Sequence, residues 1–197
     1  MILVKRPSFA EVREFLNGQQ LLSLSYRAAG STRDNSAPAG FNVDHNRIRL
    51  GAGAHAFEKA VEAVARWKMF DIGWVELLYP DSPIKAGVVV GVLVKVMGLW
   101  TLNACRVIYT IDEESPVRRF GFAYGTLPGH AESGEERFSV EWRDADDSVW
   151  YDLYAFSRPR HPLARLGYPV SRMFQKRFAA DSKLAMVKAV NGDEESV

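Results

Sequence analysis

The chain has one cysteine, Cys105, so no intrachain disulfide forms and the fold is held without covalent cross-links. That usage fits a reducing compartment. Neither sign of charge is in excess: 25 basic and 24 acidic side chains leave a net charge of +1. This balance argues against the basic footprint that binds a nucleic-acid backbone. Arg158, Arg160, Arg165, Arg172, Lys176 and Arg177 form a local basic stretch, read as a solvated helix face. Long hydrophobic runs are also lacking. The longest, Val88–Trp100, is interrupted by Lys95 and is too short to span a bilayer as a helix. The opening MILVKRPSFAEV is too short in apolar residues for a signal peptide. A cytoplasmic protein with no nucleic-acid partner and no membrane span is expected.

Chemistry-bearing patterns are scarce as well. His45, His55, His130 and His161 show no H-x-H or H-x₃-H spacing. His130 and Glu132 have the H-x-E spacing of zinc deaminases, but the required P-C-x-x-C is missing, so no metal is expected. Ser139 and Ser157 lack a G-x-S-x-G elbow, and Cys105 sits inside a strand-like run as a small hydrophobe. Gly51-x-Gly53-x-x-Ala56, with Asp71 further on, outlines a dinucleotide fingerprint. No second βαβ unit follows, so the pattern is read as a tight strand-to-helix turn and no cofactor is expected.

What is present is an ordered series of elements. Ser8 and Glu11 form a capping box that opens a short helix over Phe9–Asn17, with Gly18 placed as its C-terminal cap. Ala28–Asn42 is loop-like in composition. Arg47–Leu50 suits a strand, and Phe57, Ala60, Val61, Val64 and Trp67 recur at helical spacing over His55–Lys68. Six β-branched or aromatic runs follow: Trp74–Tyr79, Val88–Met97, Leu99–Ile111, Val117–Tyr124, Glu136–Arg143 and Ser148–Phe156. Short turns such as Asp112–Pro116 separate them, which means an antiparallel meander. Pro169 opens a long C-terminal helix reaching Ala189, with Val170, Met173, Phe174 and Phe178 on the face toward the sheet. Asn191–Val197 reads as a disordered tail.

The fold class is therefore α+β: a curved antiparallel sheet of about seven strands around a long C-terminal helix. This element order resembles the helix-grip arrangement of Bet v 1 and START-like proteins. One domain is expected over residues 1–190, with 1–46 as an N-terminal helix-and-loop extension.

The block Phe120–Trp142 carries the most specific information. Two strands flank a loop rich in Gly, Pro, His and Glu. Alternation puts Glu136 on one face with Phe138, Val140 and Trp142, the face expected to be concave. A carboxylate there needs a partner or a shifted pKa, and Arg106 and Arg158 are the expected partners. Phe120, Phe122 and Tyr124 share a face of the preceding strand.

Four segments, Tyr26–Thr32, Arg49–Phe57, Gly121–Phe138 and Phe156–Phe178, resemble an uncharacterised bacterial and plant family, domain of unknown function nineteen-ninety. The resemblance implies a START-like fold and supplies no catalytic residues. The reading that follows is a protein binding a small hydrophobic or amphipathic molecule between sheet and C-terminal helix. Tyr124, His130, Glu136, Arg106, Arg158, Phe122 and Phe138 are the expected ligand contacts. Two alternatives stand beside it: an enzyme using Glu136 or His130 as general acid or base, and a filled-core protein acting through a surface partner.

Overall fold

The computed structural model describes residues 1–115, 117–160 and 167–192. Among these, the elements run β1 (Ile2–Leu3), α1 (Phe9–Gln19), β2 (Asn42–Ala52), α2 (Gly53–Ala65), β3 (Val75–Leu78), β4 (Val89–Val96), β5 (Leu99–Glu113), β6 (Arg118–Thr126), β7 (Glu132–Arg143), β8 (Ser148–Pro159) and α3 (Tyr168–Asn191). The sheet order is β2-β8-β7-β6-β5-β4-β3, every pairing antiparallel, with β1 added to the start of β5. The Pro116 end of the Asp112–Pro116 turn, His161, Arg165 and most of the expected tail (193–197) lie outside the described residues. Asn191 itself ends α3.

The sheet curls, and α2 and α3 fill its concave side. Val64 and Ala60 of α2 and Met186 and Val190 of α3 join Val90, Val107, Phe122, Phe138 and Tyr151 in one buried cluster. Their burial is the main stabilising term, at about 25 cal/mol per Å² of apolar surface removed from water. The dinucleotide-like pattern is a turn. Gly53 takes φ +81 and donates its N–H to Asp147 O at 2.9 Å as α2 begins. β2 and β3 lie at opposite edges of the sheet, so no parallel pair exists there for a nucleotide to straddle.

The convex side is covered as well. The Ser8–Glu11 capping box is formed, and Val12 and Leu16 of α1 pack on Leu78, Leu93 and Leu102. Gly18 lies inside this helix, which runs to Gln19. The segment after α1 then crosses behind β6, β7 and β8. There Glu135 accepts hydrogen bonds from Tyr26 Oη (2.5 Å), Gly30 N (2.7 Å), Thr32 N (3.0 Å) and Thr32 Oγ1 (2.5 Å). Arg137 donates to Thr32 O (2.7 Å) and to Asp152 Oδ1 (2.6 Å). A Cβ at Gly125 would stand 2.2 Å from Tyr26 Oη, so only glycine lets the tyrosine reach Glu135.

α3 differs from expectation at its start. Phe178, Ala179, Ser182 and Met186 face the core, whereas Val170 and Met173 are exposed and Phe174 is half-buried on Trp74. Tyr168, Arg172 and Gln175 instead make polar contacts to β2 and β8. The first turns of α3 therefore stand over a polar rim, and the later turns sit on the aromatic core.

Candidate functional site

The concave face of the sheet is organised in rows. Register places Tyr124, Glu136, Ala155 and Asp44 side by side across β6, β7, β8 and β2. The row beneath is Phe122, Phe138, Leu153 and Asn46. The aromatic part of that lower row is closed. Phe122 and Phe138 stack at 5.2 Å, and Phe70 and Phe178 lie 5.6 and 6.5 Å from Phe138. The upper row, with Glu132 and Ser157 above it, lies beneath the first turns of α3, where Arg172 and Gln175 reach Asp44 and Ser157; this polar rim is the mouth of the grip.

Glu136 sits on the wall of this mouth. Tyr124 Oη donates to its Oε2 at 2.9 Å, the one hydrogen bond it has among the described residues. Burial raises its pKa to about 7, against which the Tyr124 hydrogen bond works; nearby Asp44 raises it further. Glu132, two pleats along the same face, also has a raised pKa, again mainly from burial, with Arg172 and a hydrogen bond from the Ser171 side chain pulling the other way. Its Oε2 is shut off from solvent and has no hydrogen-bond partner. Asp44, by contrast, is matched: Arg172 grips both its oxygens at 2.6 and 2.7 Å. Arg172 is thus a partly buried tie between α3 and β2, not part of a solvated helix face.

The expected arginine partners of Glu136 are on the other side of the sheet. Arg106 lies opposite Gly125 and donates to the carbonyls of Gln19 and Gln20. Arg158 lies opposite Ser133 and covers the Phe41 ring at 4.4 Å. Both occupy convex-face positions, and side chains of opposite parity cannot meet through a sheet. His130 is also apart. Its Nδ1 accepts the Glu132 N–H at 2.9 Å, and it lines a separate recess of about 420 Å³ with Phe15, Thr101, Pro128 and Arg160. Burial lowers its pKa to about 4. So the structure groups Tyr124, Glu136, Phe122 and Phe138, and separates His130, Arg106 and Arg158 from them.

Asp44, Glu132, Ala155 and Arg172 were not anticipated as part of this region. Glu132 was within reach, because it shares strand parity with Glu136. Asp44 was not, because the polar stretch Asn42–Asn46 carries no strand pattern. On the convex face His45 Nε2 meets Asp152 at 2.7 Å, but the nearby Ser139 hydroxyl points to Asp152 O at 3.5 Å and does not complete a triad. No group of three His, Cys, Asp or Glu side chains suited to a metal occurs among the described residues.

Glu136 should imprint a pH dependence on stability. With its pKa raised from the ordinary 4.5 to about 7, the fold retains a proton that the unfolded chain has released. That contribution is fully present below the lower value and is lost as pH rises through about 7. His130 acts with the opposite sign: lowered from 6.5 to about 4, it adds stability as pH rises through that interval. Urea unfolding at several pH values between 5 and 8 is expected to show Glu136→Gln gaining on the wild type as pH rises. The His130 contribution is common to both proteins and cancels. A wild-type-minus-mutant difference that stays flat over this range would remove the shifted carboxyl.

The architecture is that of a helix-grip protein: a curled antiparallel half-barrel closed by a C-terminal helix, here with an acidic mouth. The chain belongs to the family described as Domain of unknown function (DUF1990), whose model matches residues 25–185. It is 37% identical over 211 residues to a UPF0548 protein of Dictyostelium discoideum, covering 98% of each chain. A UPF0548 protein of Arabidopsis thaliana is 33% identical, over 94% of this chain and 96% of its own. One of Deinococcus radiodurans is 34% identical, over 96% and 98%. Among solved structures, a hypothetical protein of Helicobacter pylori aligns with a TM-score of 0.48 at 12% identity, covering 83% of this chain and 95% of its own. Norcoclaurine synthase of Thalictrum flavum aligns with a TM-score of 0.45 at 12% identity, over 89% and 98%. Among the described residues, no helix is long and apolar enough to cross a membrane.

Proposed function

We propose that the protein binds a small amphipathic molecule at the mouth between the sheet and the first turns of α3. The polar head of that molecule meets Glu136 and Tyr124. One observation carries the reading: Glu136 stands on the wall of an aromatic core with a single tyrosine hydroxyl for company. A carboxyl in such a place costs several kcal/mol when ionised and unpaired. An apolar side chain of similar size would serve stability better, so its presence is better explained by use than by packing. The rings of Phe70, Phe122, Phe138 and Phe178 fill the space below, which confines the occupant to the upper row.

Ala155 provides the test. It is half-buried beside Glu136 on the concave face. Ala155→Phe is expected to plug the mouth while leaving the core rings and every charge in place. Native mass spectrometry of the wild type is expected to show a co-purifying molecule of a few hundred daltons, the size that fits sites of this class. The variant, still folded by circular dichroism, is expected to have lost it. A folded Ala155→Phe that keeps the same adduct would place the molecule elsewhere.

A second reading has its own observation. A carboxyl titrating at about 7 is matched to proton transfer at neutral pH, so Glu136 also suits a general acid or base acting on the bound molecule. In that case Glu136→Gln keeps the adduct but accumulates a chemically different form of it, seen as a mass change. An identical adduct in both proteins leaves simple binding as the function.

A further inference from the structure

The charges at the mouth do not balance. Three carboxyl groups face it from the sheet: Asp44 on β2, and Glu132 and Glu136 on β7. From α3 one guanidinium answers them, and Arg172 commits both its terminal nitrogens to Asp44. Lys183 lies three turns further along α3 and approaches Asn46, in the aromatic row below. Neither Glu132 nor Glu136 has a cation within salt-bridge distance among the described residues. Among the described residues, Glu132 Oε2 is the one carboxylate oxygen buried without a hydrogen-bond partner.

The convex side of the same strand shows how this chain treats carboxylates it merely buries. Glu135, between the two mouth positions in sequence, receives four hydrogen bonds. Asp152 receives Arg137, Arg47 and His45. The carboxylates of that face are met by several donors each, whereas Glu136 has the Tyr124 hydroxyl alone and Glu132 keeps one oxygen unmet.

Gly134 separates Glu132 from Glu136 on the same face, over about 13 Å of extended strand. It projects no side chain into that space, and none fits, because a Cβ there would stand 2.0 Å from Phe156 O. Beside the gap is the Tyr124 ring, which stands edge-on to Phe138. Aromatic faces and unpaired carboxylates together are the surroundings that favour a weakly hydrated cation.

Resting on the groove reading above, we propose that the occupant of the mouth is an organic cation, an alkyl- or arylammonium. Its charged head lies between Glu132 and Glu136, and its apolar body lies along the Tyr124 ring. The cation supplies the countercharge that neither arginine of the convex face can provide. Glu136 ionises when the cation arrives, so binding releases a proton near neutral pH.

Three probes of one shape separate the possibilities: phenyltrimethylammonium, its neutral isostere tert-butylbenzene, and benzenesulfonate. Each is titrated into the intact protein and followed by the chemical shifts of Tyr124 and its neighbours. The ammonium is expected to bind about tenfold more tightly than the neutral isostere, the range of a partly desolvated cation–carboxylate contact. Its affinity is expected to rise with pH through neutrality, a change that belongs to the protein because a quaternary ammonium does not titrate. Glu136→Gln should remove that pH dependence and most of the tenfold preference. Glu132→Gln, less central to the fold, should narrow the preference as a second check. If the isostere or the sulfonate binds at least as well as the ammonium at this site, the cation inference is overturned and the groove reading stands. If none of the three perturbs Tyr124 and its neighbours, both fall together.

Discussion

Glu135→Ala is expected to lower stability by about 3–5 kcal/mol, because it strips four buried donors of their acceptor at once. For a chain of this size that is a fall in melting temperature of roughly 10 °C. The residue itself is almost fully buried, so water cannot easily replace the carboxylate. The loss has a location. The amides of Gly30 and Thr32 donate directly to Glu135, and hydrogen exchange at these two positions should accelerate far more than in β4 or β5. Glu135→Gln, which keeps an acceptor oxygen, should lie between the wild type and the alanine variant. Unchanged protection at Gly30 and Thr32 in Glu135→Ala would show that the segment is held by other means.

Phe138→Ala carries the second large effect. Phe138 is fully buried and its ring is packed by those of Phe70, Phe122, Tyr124 and Phe178. Its truncation is expected to cost about 3–5 kcal/mol, the sum of lost transfer energy and the cavity left behind. Phe174→Ala is the control. That ring is half-buried and rests on Trp74 at 5.6 Å, so its loss should cost less than about 1.5 kcal/mol. The pair also tests whether the deep half of the grip is filled. In Phe138→Ala the new apolar void should take up benzene and regain melting temperature, while the wild type should not respond. A small effect in Phe138→Ala, or an equal response to benzene in the wild type, would mean that the deep half is open.

Both effects come from features that the sequence shows unequally. The ring cluster is legible, because Phe122, Tyr124 and Phe138 fall on one parity of strands whose β-branched and aromatic content is plain. So are the capping box at Ser8 and the strand-to-helix turn at Gly51–Gly53. The Glu135 cage is not legible. Glu135, Arg137, Ser139 and Glu141 read as the solvent face of an amphipathic strand. Glu135 and Arg137 are buried because the segment around Tyr26–Thr32, itself without periodicity, folds across them, and Glu141 because Arg47 and Arg119 lie on it. The same blindness put Arg106 and Arg158 beside Glu136. Either is near it in strand order, and only the register shows that both belong to the Glu135 side. At the other end, Val170 and Met173 have helical spacing with Phe174, but spacing along a helix does not say where the sheet beneath it ends.

One feature of the topology bears on how the chain is made. β2 is completed only by β8, with Asn42 and Ser157 in register 115 residues apart. A ribosome adding ~5–20 residues per second delivers the second strand about 10 s after the first. Through that interval β2 has no strand to pair with, and α2 has only part of its sheet to lie on. The meander from β3 to β7 can zip up as it emerges, but the grip closes only when β8 joins its two ends. Closure is therefore a late step that depends on distant contacts, the kind that makes folding slow. The most exposed moment for this protein is just before its last strand arrives, when the polar stretch Asn42–Asn46 helps to keep a lone strand in solution.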